Sequence, residues 1–295
     1  MLHSSLLETV AFFDLFDWPL TENELFKLTH QVPAVSAVLE REAGFVFLKG
    51  RRELIFLRQT KEVRAAYLWQ KTRSFISWLP LLPFVRAVFV SNKLAYNNIN
   101  EGSDIDLSIV IKSGRLWFAR LLVSLWLLLW GQKRQGKRVA GRFCLNFFVT
   151  EENLDLSRVK IAPQDPYLEF WLFTLAPVFD YGVLSRLAGA NAWLRGRFPW
   201  YGESTYLAPI VRVNGLTRSL QFLGEALFYL LWGPFGEKLL RYWQLTRIKS
   251  KQKMPFPSEV ASDSMLKFHP QDKRFEISQA WAEKLSRLYG EIKKI

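Results

Sequence analysis

The sequence predicts an α/β (α+β) fold, a mixed sheet with flanking helices, on three observations. An apolar run beginning at Ala87 and a second, Ile105–Val110, enclose a polar loop, so two strands are expected there. The segment Leu116–Trp130 is broken only by Arg120 and Ser124 and reads as a helix buried against that sheet. A third strand-like run, Arg142–Thr150, follows it, and the chain turns helical from Asp165. The helix Leu116–Trp130 is too short to cross a bilayer: its fifteen residues at ~1.5 Å each reach about 22 Å, against a hydrocarbon core of ~30 Å. Shallow contact with a membrane surface is the remaining use for so apolar a helix.

Residues 1–60 have the element order of a winged helix. Leu6, Val10 and Phe13 lie at helical spacing before Pro19, and Thr21 with Glu24 forms a capping box opening a helix through Leu28. A third helix is expected from Val32 to Glu42. Strands Phe45–Leu48 and Leu54–Leu57 are expected to follow, joined by the basic turn Lys49-Gly50-Arg51-Arg52. A recognition helix needs hydrogen-bond donors, and this one offers only Arg41, so partner docking and nucleic-acid contact both stay open. Residues 61–83 form a linker helix through Ser74 and then WLPLLPF, whose prolines break regular structure. The core spans 84–160 and a helical C-terminal domain 161–295. Within the latter, Asp165 caps a helix with Pro166 at its first position, running over Tyr167–Ala176. Further helices are expected at Tyr181–Leu194, Leu216–Trp232 and Phe275–Tyr289, an exposed linker at Arg247–Lys253, and a loop at Ser262–Arg274 in which His269 is a turn residue.

The chemistry concentrates in one strand. Successive strand residues point to opposite faces, so Asp104 and Asp106 project together while Ile105 and Leu107 pack into the core. Two carboxylates on one face suit a hard divalent cation such as Mg²⁺ (or Mn²⁺), which leaves room for phosphate. A solvated acidic edge strand has the same spacing, but the apolar flanks Ile105, Leu107, Ile109 and Val110 indicate an inner strand. There, unpaired carboxylates are costly unless they serve a site.

A strand, a small-residue turn, about ten residues and then Asp-Ile-Asp on a second strand resembles the nucleotidyltransferase superfamily of the polymerase-beta type. Ser103–Arg120 is similar to that family's carboxylate strand and following helix, and FDLFDWPLTENEL resembles winged-helix-like regions preceding some bacterial members. The resemblance implies that Asp104 and Asp106 hold the metal and act catalytically. It also implies that Ser91, Asn92, Lys93 and Ser103 contact the nucleotide. Where the family has Gly-Ser, this chain has Ser91-Asn92 or Asn92-Lys93; asparagine tolerates left-handed backbone and lysine offers charge to phosphate. A third carboxylate on a later strand is replaced by Asn146, whose amide oxygen can ligate a cation but cannot take a proton. The general base is therefore unassigned. The implied reaction is Mg²⁺-dependent transfer of a nucleoside monophosphate from an NTP to a hydroxyl or phosphate of an unknown acceptor, a nucleic acid or a protein. The alternative is a catalytically degenerate nucleotide-sensing or nucleic-acid-binding regulator on the same fold.

Composition sets the outer bounds. The net charge is +13, from 40 basic and 27 acidic residues, which favours anionic partners. A basic run, Lys133, Arg134, Lys137, Arg138 and Arg142, lies between the apolar helix and the third strand and is either a solvated loop or a phosphate-binding one. The single cysteine, Cys144, excludes an internal disulfide and reads as a buried small hydrophobe. Glu8, Asp14 and Asp17 near the start argue against a signal peptide, so a cytoplasmic location is expected. Tryptophan-rich helices beside basic loops leave a third function class, a membrane-surface protein.

Overall fold

Two sheets organise the chain in the computed structural model, which describes residues 6–32, 37–202, 209–251, 260–268 and 272–293. The first sheet has the order β1 (Leu20–Thr21), β3 (Phe45–Leu48), β2 (Leu39–Glu42), all antiparallel. It lies beside helices α1 (Leu6–Asp14) and α2 (Glu22–Thr29). The expected capping box opens α2: the Glu24 N–H donates to Thr21 Oγ1 at 3.1 Å and the Thr21 N–H to Glu24 Oε2 at 2.8 Å.

The hairpin sits one element earlier than the sequence suggests. Leu39–Glu42, expected at the end of a helix, is strand β2, and it turns into β3 at Ala43-Gly44, both at positive φ. Leu54–Leu57, expected as a strand, instead opens helix α3 (Glu53–Ile76). A four-residue apolar run does not by itself distinguish strand from helix. Here the helix is favoured by Arg58, which is buried, bonds Glu62 one turn on, and reaches Glu24 and the Pro19 carbonyl. Two of the three cations of the expected wing are engaged locally: Arg51 pairs with Asp14, Asp17 and Glu53, and Arg52 with Glu42, while Lys49 is exposed. Of the rest of the expected third helix, Val32 has no regular structure, Ala37 and Val38 form a turn, and 33–36 lie outside the described residues, as does His269.

The second sheet is mixed, as expected. Its order is β7 (Ala176–Asp180), β4 (Val85–Ser91), β5 (Ile105–Ile111), β6 (Phe143–Thr150), β9 (Met265–Lys267), β8 (Val260–Ala261). β4 and β5 are antiparallel around the short helix α4 (Asn92–Ala95), whereas β5 and β6 are parallel and joined through α5 (Leu116–Leu129). The Asp-Ile-Asp strand is thus an inner one. Pro177, expected just beyond a helix, lies in the edge strand β7, where a missing N–H is tolerated.

Helices cover both faces of this sheet. Ile105, Leu107, Ile109 and Ile111 face a layer of α3, α5, α8 (Gly215–Leu231) and α9 (Gly233–Lys251). The opposite face meets α1, α6 (Pro166–Thr174), α7 (Leu184–Ala190) and α10 (Arg274–Ile292). Each buried large side chain on α5, such as Trp117 or Leu127, contributes roughly 1.5–3 kcal/mol by leaving water. The cap expected at Asp165 is present, its Oδ1 accepting from the Leu168 N–H.

Three C-terminal expectations are corrected. The helix expected over Tyr181–Leu194 stops at Ala190 and resumes as a 3-10 turn, Ala192–Gly196. Asn191 is fully buried between them, and its amide bonds the Leu156 N–H and the carbonyls of Leu154 and Leu187. Arg247–Lys251, expected as linker, completes α9, because the inner face of that helix packs on α5; 252 and 253 lie outside the described residues. Within the expected loop Ser262–Arg274, Met265–Lys267 is strand β9, recruited by the free edge of β6. Among the described residues no helix is long and apolar enough to cross a membrane.

Candidate metal centre

The site is built where β4, β5 and β6 run side by side. Asp106 pairs in register with Ser91 of β4 on one side and with Cys144 of β6 on the other. Paired residues share a face of the sheet, so all three side chains stand on the side opposite Ile105 and Leu107. Between Leu145 and Phe147 the β5–β6 register shifts by one residue, leaving Asn146 as the extra residue of a bulge. A bulge re-aims the side chain it frees. The Asn146 amide thereby donates to Asp106 Oδ1 at 2.6 Å, and its own Oδ1 is buried with no hydrogen-bond partner.

Asp106 receives a second amide from the first residue of α4, just beyond β4. Asn92 Nδ2 donates to its Oδ2 at 2.9 Å, and Tyr167 of α6 donates its hydroxyl to Asn92 Oδ1 at 3.2 Å. Asn92 adopts φ +56°, the left-handed conformation for which asparagine is among the better non-glycine residues. Burial, together with the nearby charge of Asp104, pushes the Asp106 carboxyl up to about 6. The hydrogen bonds from Asn92 and Cys144, and the Arg134 charge, act against that rise. Asp104 is paired: Arg134 donates to its Oδ2 at 2.6 Å.

Asp104, Asp106 and Cys144 form a group of ligand atoms lying within 4.8 Å of one another, a cluster that could hold a metal ion. Cys144 was expected to be an inert core residue; instead it is half-buried beside the carboxylates, with Arg134 at 3.6 Å from its Sγ. Burial and the two aspartates push its thiol up to about 12, so it stays protonated at neutral pH. The orphaned Asn146 oxygen bears on whether a cation fits. Turning that amide over gives up the Nδ2 bond to Asp106 Oδ1 and presents a hard oxygen beside that carboxylate in its place, which a cation could bridge.

The other residues singled out from the sequence fall around this cluster. Ser91 is buried, its hydroxyl accepting from Ser108 at 3.1 Å. Ser103 Oγ accepts from the Asn100 N–H and closes the turn before β5. Lys93 is exposed on α4. Of the basic run, Arg134 reaches the carboxylates, Arg142 bonds the Gly131 carbonyl, and Lys137 and Arg138 are exposed. Sequence reasoning missed Tyr167 and the role of Cys144. The alternation of Cys144 and Asn146 along β6 was the only local signal for the thiol; nothing local marked Tyr167.

A pocket of about 230 Å³ adjoins the cluster through Asn146 and Tyr167. Its wall is mostly apolar and aromatic, from Phe16, Phe147, Leu168 and Trp171, with Lys273 and the paired charges of Lys267, Asp272 and Arg274 at one side. Comparison with protein-family models, with curated proteins and with solved structures finds no match to this chain.

Proposed function

We propose that this is a nucleotidyltransferase-like protein that binds an NTP with Mg²⁺ (or Mn²⁺) at Asp104 and Asp106 and transfers a nucleoside monophosphate to an acceptor hydroxyl or phosphate. One observation supports the reading: the Asp104 and Asp106 carboxylates stand together at the start of an inner strand, and the bulge in the parallel neighbour brings the Asn146 amide, whose oxygen has no hydrogen-bond partner, against Asp106. Asp104, Asp106 and Asn146 would hold the cation, which when bound neutralises phosphate charge and acidifies an attacking hydroxyl. Asn92, at a left-handed turn position, lets the backbone approach phosphate, while Tyr167 fixes its amide. The adjoining apolar pocket suits an acceptor or base with a largely apolar body, shielding the reacting atoms from water.

The degenerate reading, a nucleotide sensor without transfer, is favoured by two observations of the same site. Asn146 stands where a proton-accepting carboxylate is needed, and Arg134 already neutralises Asp104. One experiment separates the readings. Calorimetry with each NTP should show binding that requires metal, and Asp104→Ala with Asp106→Ala should weaken it about a hundredfold, the loss expected when the ligands of a hydrated cation are removed. Equal NTP affinity with and without metal, in both proteins, would remove both readings. Label transferred from an α-labelled NTP to a component of a cell extract favours the enzyme; metal-dependent binding without transfer favours the sensor.

A further inference from the structure

We infer that the outer face of α8 and α9 is a docking surface for an anionic lipid bilayer. The observation is a continuous set of large apolar side chains left in water. On α8, Leu216, Leu220, Leu223, Leu227 and Leu230 recur at alternating steps of four and three, which is one stripe of a helix, and all are exposed, Leu230 at 81%. The inner face of the same helix is spent on the fold. There Gln221 bonds the Leu82 and Val85 carbonyls, Glu225 accepts from the Phe84 N–H, and Phe228 packs on Phe84.

The pattern continues through the corner. Trp232 is exposed between the helices, Gly233 takes φ +48°, and α9 then presents Phe235, Leu239 and Tyr242, with Phe235 73% exposed. Its inner face, like that of α8, is tied to the sheet layer: Glu237 accepts from the Trp117 and Phe118 N–H groups, and Gln244 donates to the Trp117 carbonyl. Both outer faces therefore point away from the sheet. A cleft lined by Leu125, Leu128, Trp243 and Ile248 carries the apolar surface on to the end of α5. Monomeric proteins rarely leave so extended an apolar patch facing water unless something covers it.

Charge identifies the occupant. Between 215 and 251 the chain has only two acids, Glu225 and Glu237, and both are turned inward as N–H acceptors. The exposed polar residues on this side include Lys238, Arg241 and Arg247, with Arg247 lying over the Trp243 ring. One rim acid, Asp263, is paired with Arg241. Leucines facing outward, tryptophan and tyrosine beside cations, and no free acid on the two helices match the boundary between acyl chains and anionic headgroups. A second copy of this chain would bring the same cations against these, which disfavours self-association. Since no described helix can span, the hairpin would lie in the interface plane. It covers the sheet face opposite Asp106, so docking leaves the candidate metal centre uncovered, and the inference does not depend on what that centre does.

The test is flotation of the full chain with vesicles of phosphatidylcholine alone and of phosphatidylcholine mixed with phosphatidylglycerol. Binding to the mixed vesicles should exceed that to the neutral ones by about tenfold or more and should fall with added salt. Leu223→Glu with Leu230→Glu should lower binding at least about tenfold, because each charge must be dragged into the interface, while an unchanged circular-dichroism melt shows the fold intact. Lys238→Glu should reduce the preference for anionic lipid. Absence of binding to the mixed vesicles would overturn the inference. So would light scattering showing a dimer that the double variant converts to monomer without vesicle binding, since the face would then join two copies.

Discussion

Asp165 and Asp106 lie on the same side of the central sheet, one capping α6 and the other on β5, and their surroundings treat them differently. Asp165 is completely buried, yet its oxygens accept from the Ile161 and Leu168 N–H groups and from Arg274 Nη1 at 2.8 Å. Arg274 in turn bonds the Val159 carbonyl and Asp272, whose carboxyl it holds, with Lys267, well below the usual range. Asp106 receives neutral amides and a thiol instead, and the one nearby guanidinium is bonded to its neighbour Asp104. A buried carboxylate with a dedicated counter-ion is part of the frame. One held by dipoles alone beside a second carboxylate could take a cation from solution as its partner.

The largest expected effect tests the framing half of that comparison. Arg274→Ala leaves Asp165 buried without its cation and should cost about 3–5 kcal/mol of stability, read as the urea midpoint at constant slope. Asp106→Asn in metal-free buffer should cost nothing, or stabilise, since it removes an unpaired charge and keeps the shape. An equal loss in both variants would erase the distinction.

The next effect is one of pH. In the folded state the Asp106 carboxyl is pushed up from 3.8 to about 6, so between those values the native state holds a proton that the unfolded state has lost. Stability linked to this group is complete below about pH 4 and declines as pH rises towards 6, by an amount on the order of 2 kcal/mol. The difference between native protein and Asp106→Asn across pH 4–7 isolates this slope from other groups. Saturating Mn²⁺ should flatten it, because metal favours the charged form.

The smallest effect concerns Arg134. Its guanidinium is half-exposed and competes with any cation for Asp104, so Arg134→Gln should tighten binding of Mn²⁺ alone by only about two- to fivefold, in line with the modest worth of exposed pairs. In the same variant NTP affinity should fall if the displaced arginine goes on to hold phosphate. Weaker binding of Mn²⁺ alone would show that Arg134 positions Asp104 and does not compete for it.

Legibility from sequence followed the range of the forces involved. The Thr21–Glu24 box, the Asp165 cap, α5, α8 and α10 were readable because caps and helical stripes are set by residues three or four apart. Asp104 and Asp106 were readable as a pair because strand side chains alternate. Only the tertiary structure decided which strand lies beside which. It placed the bulge that aims Asn146 at Asp106, brought Tyr167 to Asn92 from α6, recruited Met265–Lys267 to the edge of β6, and swung Arg134 onto Asp104. The strand at Leu39–Glu42 and the helix at Leu54–Leu57 were exchanged for the same reason. Short segments, apolar like Leu54–Leu57 or charged like Leu39–Glu42, take the structure their neighbours stabilise, and those neighbours, such as β3 for β2 and Glu24 for Arg58, are brought near by the folded chain alone.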